Sequence, residues 1–533
     1  MDHIKKIITS LTLFLTMLTG QSLNWATSFD GAGNDFISDM STDNSGNTYV
    51  VGQFAADITV NGTTYSPQGL QDMFWAKIGS DGSVNYFHHI VGSGDERGRG
   101  IDVDNMGSIY IFGRFSESIS INNGTINNVG GGINGFVIKY NSSFEYQWYS
   151  PFNSFTNSFS GNIYPLDLVA NKENGGCYVT FTWDGYISFA GTLNSPVDHD
   201  GNQVGQDGAV VKINNIGNQV GYALVKHESN ITLGSIFNRN SIIYGGNGEI
   251  YIWGYAQFNS EYYGSLGLGY SGTGNPSGYY PQYTEEFQCN NFQNNSSANF
   301  FLSYDWDGDH PNLNWMGRYD SESRHSGGYP NVSYGDGHLL ISQYPHFDGV
   351  SDPINFQIWT NPIDQYPPSI IDDYNLFYGA TNDGTVEKQL GIIDIDVTNN
   401  NQPSILRHVT GVDATTTAVG ATEYSDSYIN PYDTDIIYTG SGYQFSGTFQ
   451  GTINDVMSAG YVFDPTGDAP QDPDDLYRAN IDFNGLVSDF TNLTNTANTD
   501  ESFVAGSLVG SNYIIAGYLM GQGMYGATSI GTD

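Results

Sequence analysis

Cysteine is nearly absent from this chain. Cys177 and Cys289 are the two present in 533 residues, so no disulfide framework holds the fold together. One bridge and two buried thiols both remain open. Positive charge is also scarce: 16 Lys and Arg stand against 56 Asp and Glu, a formal net charge of −40. Such a surface repels a nucleic-acid backbone and an anionic membrane, so neither is expected as a partner. Long apolar runs are missing too. Ile7 to Leu18 falls short of the roughly 20 apolar residues a spanning helix needs, and nothing later approaches that length. Lys, Arg, Ala and Leu, which favour helices, are sparse.

Aromatic residues are plentiful, at 14% with 38 Tyr and 30 Phe, enough for a packed interior. With 67 Gly and abundant Asn, Asp, Ser and Thr, that composition suits many short strands joined by turns, and the fold class expected is all-β. The first 22 residues read as a secretory signal. Lys5 and Lys6 form a basic start, Ile7 to Leu18 an apolar stretch, and Thr19-Gly20-Gln21-Ser22 a small-residue cleavage region. The mature region, 23–533, is therefore expected to be secreted or displayed at the cell surface.

That region repeats itself. Asp43-Asn44-Ser45-Gly46-Asn47-Thr48-Tyr49-Val50-Val51-Gly52 recurs without a gap as Asp104-Asn105-Met106-Gly107-Ser108-Ile109-Tyr110-Ile111-Phe112-Gly113. Gly248 to Gly254 is a third copy. Weaker ones run from Gly175 to Phe181, Gly337 to Gln343, Thr434 to Gly440 and Gly510 to Gly517. A second element follows, Phe74-Trp75-Ala76-Lys77-Ile78, matched by Phe136 to Tyr140 and Ala209 to Ile213, with divergent versions at Phe301, Gly391 and Tyr477. A third often begins with an aromatic: Tyr86, Trp148, Tyr222, Trp315, Phe490. Leu23-Asn24-Trp25 duplicates Leu313-Asn314-Trp315 with no hairpin before it, so it reads as an orphan outer strand. The architecture expected is a single seven-bladed β-propeller closed by pairing Trp25 to Phe29 with the C-terminal strands, which removes exposed sheet edges. Loop insertions at about 259–297, 344–378 and 464–475 enlarge blades four to six. The last blade is one strand short, a place either filled by Ala527 to Ile530 or lost by truncation.

The unit Asp43 to Gly52 with Asp72-Met73-Phe74-Trp75-Ala76-Lys77 resembles the secreted bacterial β-propeller (SBBP) repeat of Bacteroidota exoproteins. The resemblance is good over 23–145 and fair to about 255. It implies an exported or cell-surface protein with no assigned reaction.

Candidate chemistry is sparse. Asp305, Asp307 and Asp309 alternate carboxylates as calcium loops do, weighed against a solvated turn with no bidentate Glu. Arg318, Tyr319, Arg324, His325, His338 and His346 gather base and cation types, of which Tyr319, Arg324, His325 and His338 are the catalytic candidates of a polysaccharide lyase or hydrolase. The Tyr-rich stretch holding Tyr262, Tyr263, Tyr279 and Tyr280 offers flat faces for sugar rings. The leading expectation is a non-catalytic binding propeller that recognises carbohydrate or another extracellular ligand. The rival is a carbohydrate-active enzyme on the same scaffold, and calcium is the sole cofactor considered.

Overall fold

The computed structural model describes residues 24–29, 31–122, 124–154, 161–189, 192–194, 207–227, 241–258, 265–270, 285–288, 296–306, 311–320, 331–343, 354–360, 370–376, 388–399, 402–414, 428–450, 453–454, 462–463, 475–484, 487–492, 500–509, 512–520, 523–525 and 528–530. The predicted leader lies outside them. Among the described residues there is no helix, and the fold is all-β, built of antiparallel sheets.

One local unit generates these sheets. The Asp43 carboxylate accepts hydrogen bonds from the backbone amides of Ser45 (2.9 Å) and Asn47 (3.0 Å) and from the Tyr49 hydroxyl (3.2 Å). Asp104 does the same with Met106, Ser108 and Tyr110, at 2.9, 2.8 and 2.9 Å. Gly46 and Gly107 sit at φ 79° and 78°, where a side chain would be strained. The repeated Asp-x-x-Gly-x-x-Tyr is thus a turn clamp tying an inner strand to its neighbour.

Six sheets share one four-strand order. In the first it runs Phe36–Thr42, Thr48–Phe54, Asp72–Ile78, Val84–Ile90. In the second it runs Arg97–Val103, Ile109–Phe115, Asn134–Tyr140, Tyr146–Ser154. The inner strands of the third to sixth are Asn162–Ala170, Ile242–Gly246, Asn331–Gly335 and Tyr428–Tyr438. A seventh pair, Asp500–Val509 with Asn512–Met520, completes the series, and Gly523–Tyr525 pairs separately with Thr528–Ile530.

Two expectations about the repeat and its insertions need correction. The sixth copy of the repeat is Gly442–Gln450, and Thr434 to Gly440 belongs to and follows its inner partner, because Ser446 pairs with Asp435 as Val51 pairs with Asp39. Both strands are β-branched and aromatic runs ending near Gly, so the pattern slipped by one strand. Two of the insertions, read as face loops, contain edge hairpins: Ser265–Tyr270 extends the third sheet through its outer strand and Ile354–Thr360 the fourth. Ile453–Asn454, paired with Val462–Phe463, extends the fifth from just ahead of the third insertion, of which 464–474 lie outside the described residues. An outer strand otherwise presents a row of unpaired backbone groups, which these hairpins cover.

Neighbouring sheets pack face to face. Tyr49, Val51 and Trp75 of the first sheet form one core with Ile101, Val103 and Ile111 of the second; equivalent cores join the second to the third, the third to the fourth and the fourth to the fifth. Each inner strand touches the next inner strand in chain order, and Asp500–Val509 returns to touch Phe36–Thr42. There the Thr42 and Ser507 hydroxyls lie 2.7 Å apart, and Ile514 and Ala516 share a core with Val50, Phe74, Trp25 and Phe29.

Residues 24–29 lie in no strand, so the expected strand pairing is not formed. The segment nevertheless alternates exposed and half-buried positions, with Trp25, Thr27 and Phe29 turned inward. Trp25 Nε1 donates to the Ser80 carbonyl at 3.1 Å, as Trp148 Nε1 of the second sheet donates to Asn215 of the third at 2.9 Å. In both cases the indole lies on a positive-φ glycine, Gly82 or Gly217, whose added Cβ would come within 2.6 or 2.8 Å of the ring residue. Gly31 bridges to Ile58 just as Gly92, after the first sheet's outer strand, bridges to Ile119.

Candidate functional site at the contact of the fifth and sixth sheets

On the third strand, the position opposite the repeat tyrosine is held by a lysine in three sheets and by Ser303, opposite Tyr251, in the fourth. In the first three sheets it is Lys77, Lys139 and Lys212, paired across the strands with Tyr49, Tyr110 and Tyr178. Each ammonium lies over its tyrosine ring, at 5.2, 5.0 and 5.8 Å from the centroid. Each also reaches the next sheet's turn: Lys77 lies 5.8 Å from the Phe144 ring, Lys139 Nζ donates to Asn215 Oδ1 at 2.5 Å, and Lys212 Nζ to the Trp306 carbonyl at 3.0 Å. These lysines fasten sheet to sheet, and the cation–π geometry accounts for them as structure.

The fifth sheet reverses the charge. The position is held by Asp394, paired with Leu340, and its side chain is fully buried. Three donors converge on it: His338 Nδ1 at 2.8 Å, the Tyr443 hydroxyl at 2.6 Å, and Arg407 Nε at a longer 3.5 Å. A buried carboxylate is tolerable only when its oxygens are satisfied this way. The donors come from different elements. His338 opens the strand His338–Gln343, Arg407 lies on Ser404–Ala414, and Tyr443 lies on Gly442–Gln450 of the sixth sheet.

Aromatic rings close the cluster. His338 stacks on Tyr438 at 4.0 Å and 14°, Tyr438 on Phe483 at 6.0 Å, and the Arg407 guanidinium lies 3.9 Å from the Phe483 centroid. The His338 side chain is 16% exposed and that of Arg407 29%, against zero for Asp394. Two polar groups therefore face outward from a fixed anionic anchor. With Nδ1 engaged by Asp394, Nε2 is the ring nitrogen left to a ligand, and among the described residues it makes no hydrogen bond. Asp396 stands close enough to His338 to feel its charge and is capped by the Thr398 hydroxyl (2.6 Å) and amide (2.9 Å). The Thr398 bonds, before all else, lower its pKa.

Of the catalytic candidates read from the sequence, His338 is the one whose side chain is described in such a setting. Tyr319 lies on the strand Asn312–Asp320, while Arg324 and His325 lie outside the described residues. Tyr262, Tyr263, Tyr279 and Tyr280 also lie outside them, as do Asp307 and Asp309. Asp305 ends the strand Ser296–Asp305 with an exposed side chain. Among the described residues no group of three His, Cys, Asp or Glu could hold a metal ion. Cys177 is a buried free thiol, and burial raises its pKa. The sequence did not single out Asp394, Arg407, Tyr438, Tyr443 or Phe483. The available signal was the exchange of Lys for Asp when the third strands are aligned.

No family model matches the chain, and no curated protein matches it. Among solved structures, the extracellular domain of a hybrid two-component system from B. thetaiotaomicron covers 87% of this chain and 98% of its own length, at 10% identity and a TM-score of 0.14. That likeness is too slight to carry an argument.

Proposed function

We propose that this chain is an exported seven-bladed β-propeller, of the kind the SBBP-like repeat suggests, that binds an extracellular ligand and does not transform it. The observation that carries the architecture is the order of inner-strand contacts, which returns from Asp500–Val509 to Phe36–Thr42. Trp25 supports the same closure, since it stands to the first sheet as Trp148 stands to the third. In this reading the N-terminal segment is the outer element of the seventh blade.

The binding role rests on the departure from the repeat at Asp394. In the first three sheets the position is explained by sheet-to-sheet fastening; here it supports two partly exposed polar groups and an aromatic ladder, a combination suited to holding a ligand. Carbohydrate is the ligand class this favours. Catalysis is the alternative reading: the bond to Asp394 orients His338 as it would a general base, and product release is the measurement that separates the two.

Two measurements test the proposal. Electron-microscopy class averages of the mature protein are expected to show seven lobes around an axis, and six or eight would overturn the closure. A polysaccharide panel scored for both retention and product release is expected to give retention alone. Released oligosaccharides would replace binding with catalysis.

A further inference from the structure

We infer that the His338–Arg407 face binds an uncharged, polyhydroxylated ligand, a neutral saccharide segment, through hydroxyl hydrogen bonds. The inference rests on the binding reading above and names the ligand for that site.

Charge decides the class. His338 and Arg407 both pair with the buried Asp394 carboxylate, and Asp396 adds a second carboxylate beside them. The chain around this cluster carries −40. An anionic ligand such as a uronate would approach against both, and the guanidinium that would receive it is already shared with a buried carboxylate. A hydroxyl group meets no such penalty. It both donates and accepts, so it can pair with His338 Nε2 in either protonation state of the ring and accept from the Arg407 Nη groups, each preoriented contact costing little conformational freedom. Pre-organisation is built in. The imidazole is fixed by Asp394 at 2.8 Å and by its stack on Tyr438, and the guanidinium by its position 3.9 Å from the Phe483 centroid. The half-buried Tyr438 and Phe483 rings add apolar edge for the C–H faces of a sugar.

The test is titration calorimetry of the mature protein with three probes: cellohexaose, a mannuronate hexamer and a chitosan hexamer. Cellohexaose is expected to bind with an affinity that changes little between low and high salt. Two variants read the site. His338→Phe keeps a ring against Tyr438 and removes Nε2, and Arg407→Lys keeps charge beside Asp394 and removes the planar fork. Each is expected to weaken binding by about tenfold, the worth of one hydrogen bond to a charged or oriented group. Thermal melting identifies a variant that has lost its fold, and the other variant then decides. Preference for the mannuronate or chitosan probe overturns the assignment of an uncharged ligand. Cellohexaose binding that both folded variants retain overturns the site while leaving the binding propeller standing. If no saccharide is retained, here or in the wider panel, the carbohydrate reading falls with it.

Discussion

Glu96→Gln is expected to abolish a specific loss of stability between acid and mildly alkaline pH. Glu96 is fully buried where the first sheet meets the second, with Oε1 accepting from the Gly94 amide at 3.1 Å. Asp72, also fully buried, is beside it and receives His89 Nε2 at 2.6 Å; Asp95 is on the other side, held by Arg97 Nε at 3.0 Å. Burial, before the charges of Asp72 and Asp95, pushes the Glu96 carboxyl from 4.5 up to about 8. The folded protein therefore keeps a proton there that the unfolded chain gives up above 4.5. Stability from this group is complete below that value and is lost as pH rises through about 8. At ~1.36 kcal/mol per tenfold change in proton affinity, the ceiling is about 5 kcal/mol, and water admitted on ionisation brings the expected loss to about 2–4 kcal/mol. Glutamine keeps the acceptor for Gly94 and places an N–H where the acid proton faced Asp72. Guanidinium unfolding of both proteins from about pH 5 to about pH 9 measures the difference. Asp39, Asp167, Asp435 and Glu249, whose carboxyls are raised chiefly by burial, slope both curves alike and cancel. The wild-type curve should fall toward the variant's as pH rises. Parallel curves across the range would refute the reasoning.

Trp25→Ala removes the indole from Gly82 and the bond to Ser80, and is expected to cost about 2 kcal/mol; an unchanged melting profile would detach the N-terminal segment from the fold. Asp394→Ala strands His338, Tyr443 and Arg407 around an empty position and is expected to destabilise by about 3 kcal/mol, whereas a neutral outcome by chemical denaturation would show that the donors find water. Asp167→Asn neutralises a carboxyl that accepts from the Ile242 amide across two inner strands at 3.2 Å and that burial raises to about 7. Its stability is expected to vary less than wild type's between about pH 4 and pH 7, and an equal slope would place the titration elsewhere.

The sequence by itself determined the repeated strands at the heart of the sheets. Alternating β-branched and aromatic runs, punctuated by Asp-x-x-Gly turns, specify local pairing, because hairpin register depends on residues a few positions apart. The six third-strand elements read from sequence, from Phe74 to Tyr477, all fall on observed strands. The register of the sixth repeat was not legible, since its two adjacent strands carry the same pattern. Nor was the destination of the insertion hairpins, which is set by the open edge of a neighbouring sheet. Only the tertiary structure could bring His338, Arg407, Tyr443 and Phe483 around Asp394. They come from separate strands and a turn spread over two sheets, and a buried charge selects its partners by proximity in space, which no spacing along the chain encodes.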